Sequence, residues 1–153
     1  MQRDVVVVSG VRTAIGDFGG SLKDFSPTDL GARVVREVLS RAKLSGDEVG
    51  HVVFGNVVHT EPKDMYLARV AALNGGVAQH TPALTVNRLC GSGLQAIVSA
   101  AQSVLLGDAD IAIGGGAENM SRAPYLMPAA RFGQRMGDAR LVDMMLEIGR
   151  AHV

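Results

Sequence analysis

Four short runs rich in β-branched residues lie at 4–9, 51–58, 83–89 and 110–113, and apolar residues at helical spacing fill the gaps between them. Alternation of strand and helix through four strands builds a mostly parallel sheet with right-handed crossovers. The first run, Asp4-Val5-Val6-Val7-Val8-Ser9, is closed by Gly10 and is apolar at odd and even positions alike. Such a run suits a parallel strand covered on both faces, because crossover helices pack on each side of the sheet. The expected fold class is α/β, with a mostly parallel sheet and helices on both faces over 1–118. The start of an irregular loop region is expected over 119–153.

The helices carry their own punctuation. Ser26-Pro27-Thr28-Asp29 opens the first, with Ser26 as N-cap, Pro27 at the first helical position and Asp29 where negative charge suits the dipole. Leu30, Val34, Val35, Val38, Leu39 and Ala42 follow on one face, and Ser45-Gly46 is the expected stop. Asp64 is placed to cap the second helix, with Tyr66, Val70 and Leu73 on one face and Asn74-Gly75-Gly76 ending it. The third begins between Cys90 and Ser92, buries Leu94, Ile97, Val98, Ala101 and Leu105, and stops at Gly107-Asp108. Gly114-Gly115-Gly116 after the fourth strand suits phosphate binding or, more commonly, close backbone packing. Beyond Ala117 the composition shifts: five of the seven methionines lie there, at 120, 127, 136, 144 and 145, among Pro124, Pro128 and five arginines. An irregular segment is expected, then a short helix with Leu141, Met144, Met145 and Ile148 on one side.

Charge and hydropathy narrow the classes of function. Fifteen basic and fifteen acidic residues cancel, with an isoelectric point near 6.9, so no basic excess draws the chain to nucleic acid or an anionic membrane. The longest aliphatic run near the start covers only 5–8, against roughly 18–20 residues for a bilayer span. One cysteine, Cys90, excludes an internal disulfide and fits a reducing compartment. A cytoplasmic protein is expected.

Open parallel sheets bind ligands at the carboxyl ends of their strands, and Cys90 falls at that edge, between a strand and a helix. Gly91 and Gly93 permit a sharp turn there. A helix N-terminus favours a thiolate by about 0.3–1 kcal/mol, less than one pKa unit at ~1.36 kcal/mol per unit, so a base must assist. His51 and His80 precede their strands and belong to the opposite end of the sheet; His152 lies beside the last residue. His59 follows the second strand and is the one internal candidate, though a solvated loop histidine is the plainer alternative. For Cys90 the alternatives are a nucleophile or a small buried residue that fills space. Ser92 and Gln95 match a Ser-x-x-Gln capping box. Gly91-x-Gly93-x-x-Ala96 also matches the dinucleotide fingerprint, but Asp110 precedes its strand and Glu118 lies too far along to serve as its acidic ribose partner.

The segment Val86-Asn87-Arg88-Leu89-Cys90-Gly91-Ser92-Gly93-Leu94-Gln95-Ala96 closely resembles the nucleophile segment of the thiolases (acetyl-CoA acetyltransferases). Val8-Ser9-Gly10-Val11-Arg12-Thr13, Gly114-Gly115-Gly116-Ala117-Glu118-Asn119-Met120-Ser121 and Arg122-Ala123-Pro124-Tyr125 agree with that family in order. Thr60-Glu61-Pro62-Lys63-Asp64-Met65-Tyr66 looks most like bacterial β-ketothiolases of the polyhydroxyalkanoate-linked type. The resemblance implies a thiolase-like N-terminal half with Cys90 as catalytic nucleophile, and acyl-CoA and CoA as substrates. It implies no metal or redox cofactor, and homo-oligomers formed through the strand near 83–89. The activating His, second Cys and polar Asn of such enzymes belong to a second, similar half and map to no residue here. The expectation is thus a truncated piece, inactive or nearly so by itself. A non-catalytic interaction fragment is the alternative, with a dinucleotide-binding domain behind it.

Overall fold

The computed structural model describes residues 4–148. Its centre is a three-stranded parallel sheet of β1 (His51–Gly55), β2 (Ala83–Val86) and β3 (Ala112–Gly116), in the spatial order β2-β1-β3. Val53 of β1 lies opposite Leu84 of β2 and Gly114 of β3. Each crossover contains a helix: α2 (Leu67–Gly75) between β1 and β2, and α3 (Ser92–Leu106) between β2 and β3. A further helix, α1 (Pro27–Ala42), precedes β1 and packs on α2.

The central strand shows why an unbroken apolar run was needed. Val52 and Phe54 face α1 and α2, in a core with Val35, Leu39, Leu67 and Ala71. Val53 faces the other way, onto Ala96 and Ala100 of α3; the small residues thus form the buried face of that helix, and the expected face of Leu94, Ile97, Val98 and Leu105 is exposed instead. All three strand residues are within 1% of full burial. Helices therefore cover both faces, as the alternation predicts, and the architecture is α/β.

On the α3 face the helix sits almost on the sheet backbone. A Cβ at Gly114 would come within 2.7 Å of the Ile97 Cα, so Gly114 has to lack one. Gly115 faces the Phe54 ring on the opposite side. The triple glycine is strand, not loop, and its use is close packing.

Several expected boundaries move. Ser26 does cap α1, accepting from the Asp29 N–H at 3.1 Å, but the helix ends at Lys43, whose φ of 56° closes it three residues before Gly46. Asp64 lies one turn before α2: its carboxylate accepts from the Thr60 N–H (2.7 Å), the Thr60 hydroxyl (2.8 Å) and the Glu61 N–H (3.2 Å), organising a 3-10 turn over Pro62–Tyr66. The short helix of the tail shrinks to α4 (Met144–Glu147), beside a two-residue antiparallel pair of β4 (Tyr125–Leu126) and β5 (Val142–Asp143).

The largest correction concerns 4–9, which forms no strand. Val6, Val7 and Val8 are 74%, 86% and 72% exposed. A run apolar on both faces gains its stability from a ladder and two covering layers, and among the described residues neither reaches this segment.

The stretch 119–122 is stitched back onto the chain before α1. Asn119 Nδ2 donates to the carbonyls of Leu22 (3.1 Å), Lys23 (3.0 Å) and Phe25 (2.7 Å). The Gly19 N–H donates to Ser121 Oγ at 2.8 Å, and Arg122 pairs with Glu61 at 3.2 Å. Window 89–106 is apolar enough and long enough to cross a membrane by composition; here it is a crossover helix seated on β1 and β3.

Phe54 links α1, α2 and the sheet, and truncating a buried Phe costs about 3–5 kcal/mol, a large part of the roughly 5–15 kcal/mol of a whole domain. Phe54→Ala is expected to lower the unfolding free energy obtained from urea melts by that amount. Leu106→Ser, at a position 78% exposed, is expected to stay within about 0.5 kcal/mol of the parent.

Candidate active site

The three parallel strands end together at Gly55, Val86 and Gly116, and the chain leaving each end is tied to its neighbour. The Asn56 N–H donates to Val86 O at 3.1 Å, and the Ala117 N–H to Gly55 O at 3.1 Å. Above this edge the chain turns from β2 into α3 through 87–91, and that turn carries Cys90, which is free and exposed.

The turn is tightly determined. Leu89 has φ 50°, a left-handed conformation that costs an L-residue about 1–2 kcal/mol. Its N–H donates to Asn87 Oδ1 at 3.0 Å, and its carbonyl accepts from the Ser92 hydroxyl at 2.6 Å and the Ser92 N–H at 2.9 Å. Ser92 Oγ also accepts from the Arg88 N–H at 2.8 Å. The capping-box expectation therefore fails. Gly91 is the N-cap, the Gln95 N–H goes to Gly91 O at 2.9 Å, and the Gln95 side chain accepts from Arg88 at 2.6 Å. Ser92 points its hydroxyl backwards, into the elbow.

Cys90 shares a cleft of about 260 Å³ with Gly55, Val57, Leu89, Gly93, Gly116 and Glu118. Glu118, too far along the chain to serve a ribose, has its carboxylate engaged. It accepts from Asn56 Nδ2 (3.1 Å), the Val57 N–H (2.9 Å) and the Val58 N–H (3.0 Å), clipping the loop after β1 to the end of β3. The amide of Asn56 and the two bare N–H groups of Val57 and Val58, beside the carboxyl edge, were the signal that could have found it. The residue as a whole is exposed, yet its carboxylate is partly withdrawn from water under that loop. This desolvation raises its pKa above 4.5, against the lowering by the Val58 and Val57 N–H bonds; Asp64 adds to the rise and His59 opposes it.

The other candidates are not gathered here. His59 is exposed and does not line the Cys90 cleft. His51 begins β1 and lies at the far end of the sheet, and His80 precedes β2; His152 lies outside the described residues. Asp110 precedes β3, at the wrong end for a ribose. A larger, open depression of about 620 Å³ lies against Gly10, Arg12, Thr13 and Arg41. It shares no lining residue with the Cys90 cleft, and Arg41 there is already paired with Glu37 at 2.7 Å, so the smaller cleft is the better site. Among the described residues no group of three or more His, Cys, Asp or Glu could hold a metal ion.

The chain is thus a parallel sheet covered on both faces, with a cysteine at a strand-to-helix elbow above its carboxyl edge. Residues 5–153 match the family described as thiolase, N-terminal domain, and the chain belongs to the thiolase family. It is 79% identical over 146 residues to "Beta-ketothiolase BktB" of Cupriavidus necator, covering 95% of this chain and 37% of that protein. It is 44% identical over 144 residues to the human "3-ketoacyl-CoA thiolase, mitochondrial", covering 94% of this chain and 36% of the relative. A crystal structure of the Bacillus anthracis acetyl-CoA acetyltransferase superposes with a TM-score of 0.91 at 35% identity, covering 96% of this chain and 37% of that one. The chain thus spans little more than a third of the length of these relatives.

Because the folded chain binds the Glu118 proton more tightly than the unfolded chain, this group contributes most to stability below pH 4.5. That contribution is lost as the pH rises through the higher folded value. Stability of the parent relative to Glu118→Gln, measured by urea melts, is expected to fall as the pH is raised from below 4.5 through the higher folded value. A difference that stays flat with pH contradicts this assignment.

Proposed function

We propose that the chain is the nucleophile-bearing part of a thiolase-type acyltransferase that moves acyl groups between CoA and Cys90. The observation that carries this is the exposed Cys90 at the elbow above the carboxyl ends of the strands, lining a cleft. In the degradative direction the Cys90 thiolate attacks the keto carbon of a 3-ketoacyl-CoA. The bond between that carbon and the adjacent methylene breaks, and acetyl-CoA leaves as its carbanion and takes a proton. The acyl group remains on sulfur until CoA sulfur displaces it. In the synthetic direction Cys90 carries acetyl, and the carbanion of a second acetyl-CoA attacks it in a Claisen condensation. A thioester serves both ways, since a thiolate is a good nucleophile and a good leaving group. The Cys90 N–H is assigned to the developing oxyanion.

The 153 residues contain one cysteine, so the second, proton-transferring cysteine of a complete thiolase must come from elsewhere. We assign residues 1–118 to the nucleophile-bearing α/β unit and 119–153 to the start of the loop region, with the reaction in the cytoplasm and no metal required. Apolar residues on α3 support an association surface: Leu94 is 70% and Ile97 50% exposed. Strand β2 is an edge of the sheet and its own Leu84 is half exposed, which supports pairing of copies through the strand near 83–89.

Incubation with acetyl-CoA is expected to add one acetyl group to Cys90, read by intact mass, and Cys90→Ser is expected to abolish it. Turnover of acetoacetyl-CoA by the 153 residues alone is expected to be negligible; turnover at an ordinary enzyme rate overturns that part. In sizing chromatography at micromolar concentration the chain is expected to run as oligomers, and a sharp monomer peak counts against the association surface.

A further inference from the structure

We propose that Ser92 is the positioning residue for the Cys90 sulfur: its hydroxyl locks the left-handed Leu89, and the lock sets the direction in which the next residue leaves the elbow. This deepens the reading of Cys90 as nucleophile and rests on it for its purpose, but its geometry is independent of acyl transfer.

Leu89 needs holding. It has φ 50° and no glycine or Asn freedom to adopt it, and its side chain is 44% exposed, so packing cannot do the holding. The bonds around it can. Ser92 Oγ donates to Leu89 O at 2.6 Å while accepting from the Arg88 N–H at 2.8 Å, so one oxygen bridges backbone groups on either side of the strained residue. Asn87 Oδ1 fixes the Leu89 N–H at 3.0 Å. Peptide planes before and after Leu89 are thereby both tied.

The anchor is itself immobile. Ser92 is 4% exposed, and its backbone lies so close to Gly55 that a Cβ there would come within 2.6 Å of the Ser92 carbonyl carbon. Position is thus passed from β1, through Ser92, to Leu89 and on to Cys90. An ordinary capping serine would accept from an N–H further into the helix; this one sits inside the helix start and reaches back, a geometry useful to the elbow and not to the helix.

The test uses alkylation of Cys90 by iodoacetamide, in which sulfur displaces iodide, a carbon–sulfur bond replaces carbon–iodine, and the thiol proton passes to buffer. With one cysteine in the chain, intact mass reports a single site, and each native rate is divided by the rate in denaturant. Ser92→Ala is expected to lower that ratio by about fivefold, the worth of one ordinary hydrogen bond. Ser92→Ala combined with Leu89→Asn, which restores left-handed preference without the hydroxyl, is expected to recover most of the loss; loss of packing alone would not be rescued this way. Leu89→Val keeps the hydroxyl but adds β-branching at a left-handed position, and is expected to slow alkylation as Ser92→Ala does, so the idea stays testable even where Ser92→Ala does not fold. A folded Ser92→Ala chain alkylated at the parent rate overturns the proposal. So does a double variant no faster than Ser92→Ala, or Leu89→Val reacting like the parent. Failure of acetyl transfer with these alkylation differences intact removes the acyltransferase reading and leaves the lock standing.

Discussion

A side chain at residue 55 would collide with the backbone of Ser92, and the site depends on its absence. Gly55 lets the first turn of α3 settle directly on the end of β1, so the helix start, the elbow and the carboxyl edge of the sheet become one rigid junction. Gly114 repeats the device one turn further along, under Ile97. Two missing methyl groups thus bring a helix close enough to a parallel sheet for a residue between them to be presented upward, at the edge where such sheets receive ligands. The glycine richness of the chain, 19 of 153 residues against about 7% in an average protein, is partly explained by these approaches.

Around that junction the polar groups divide the work. Ser92 and Asn87 hold the elbow from the strand side. Glu118 holds the facing loop with three N–H donors, giving the cleft a second fixed wall. A carboxylate serving three donors is a strong acceptor but an expensive one, since desolvation works against its charge. The wall is therefore rigid while its clip stays sensitive to pH, and Asp64, organised beside it by Thr60, adds to the cost of the charge.

Much of this was legible before any coordinates. Alternating elements, the Ser26-Pro27-Asp29 helix start and the glycine stops at Gly76 and Gly107 depend on local chemistry, and the fold keeps them. Cys90 at a strand-to-helix turn followed from the order of elements alone. What could not be read was which way a short polar side chain turns. Ser-x-x-Gln fits a capping box locally, but the proximity of Gly55 and the left-handed Leu89 direct the hydroxyl backwards, and neither is visible in a one-dimensional pattern. Glu118 escaped for a related reason: its donors, Asn56, Val57 and Val58, lie some 60 residues earlier and meet it only through the pairing of β1 with β3.

The misplaced run 4–9 shows the opposite limit. Its four consecutive valines are correct evidence for a strand that is covered on both sides, yet a strand is a property of a pair and a layer, not of a sequence window. Among the described residues, β3 borders only β1, and α3 keeps Leu94, Ile97 and Leu106 in solvent. An unpaired run of strand formers, a sheet edge and an uncovered helix face thus occur in one small domain that spans 37% of its bacterial relative. The interior residues that support Cys90 are satisfied locally, through Phe54, Val53, Ala96 and Ser92. The geometry at Cys90 is consequently set by contacts inside these residues, while the surplus apolar surface lies on the far side of α3 and at 5–8, so the positioning of Cys90 and the covering of that surface are separable physical problems.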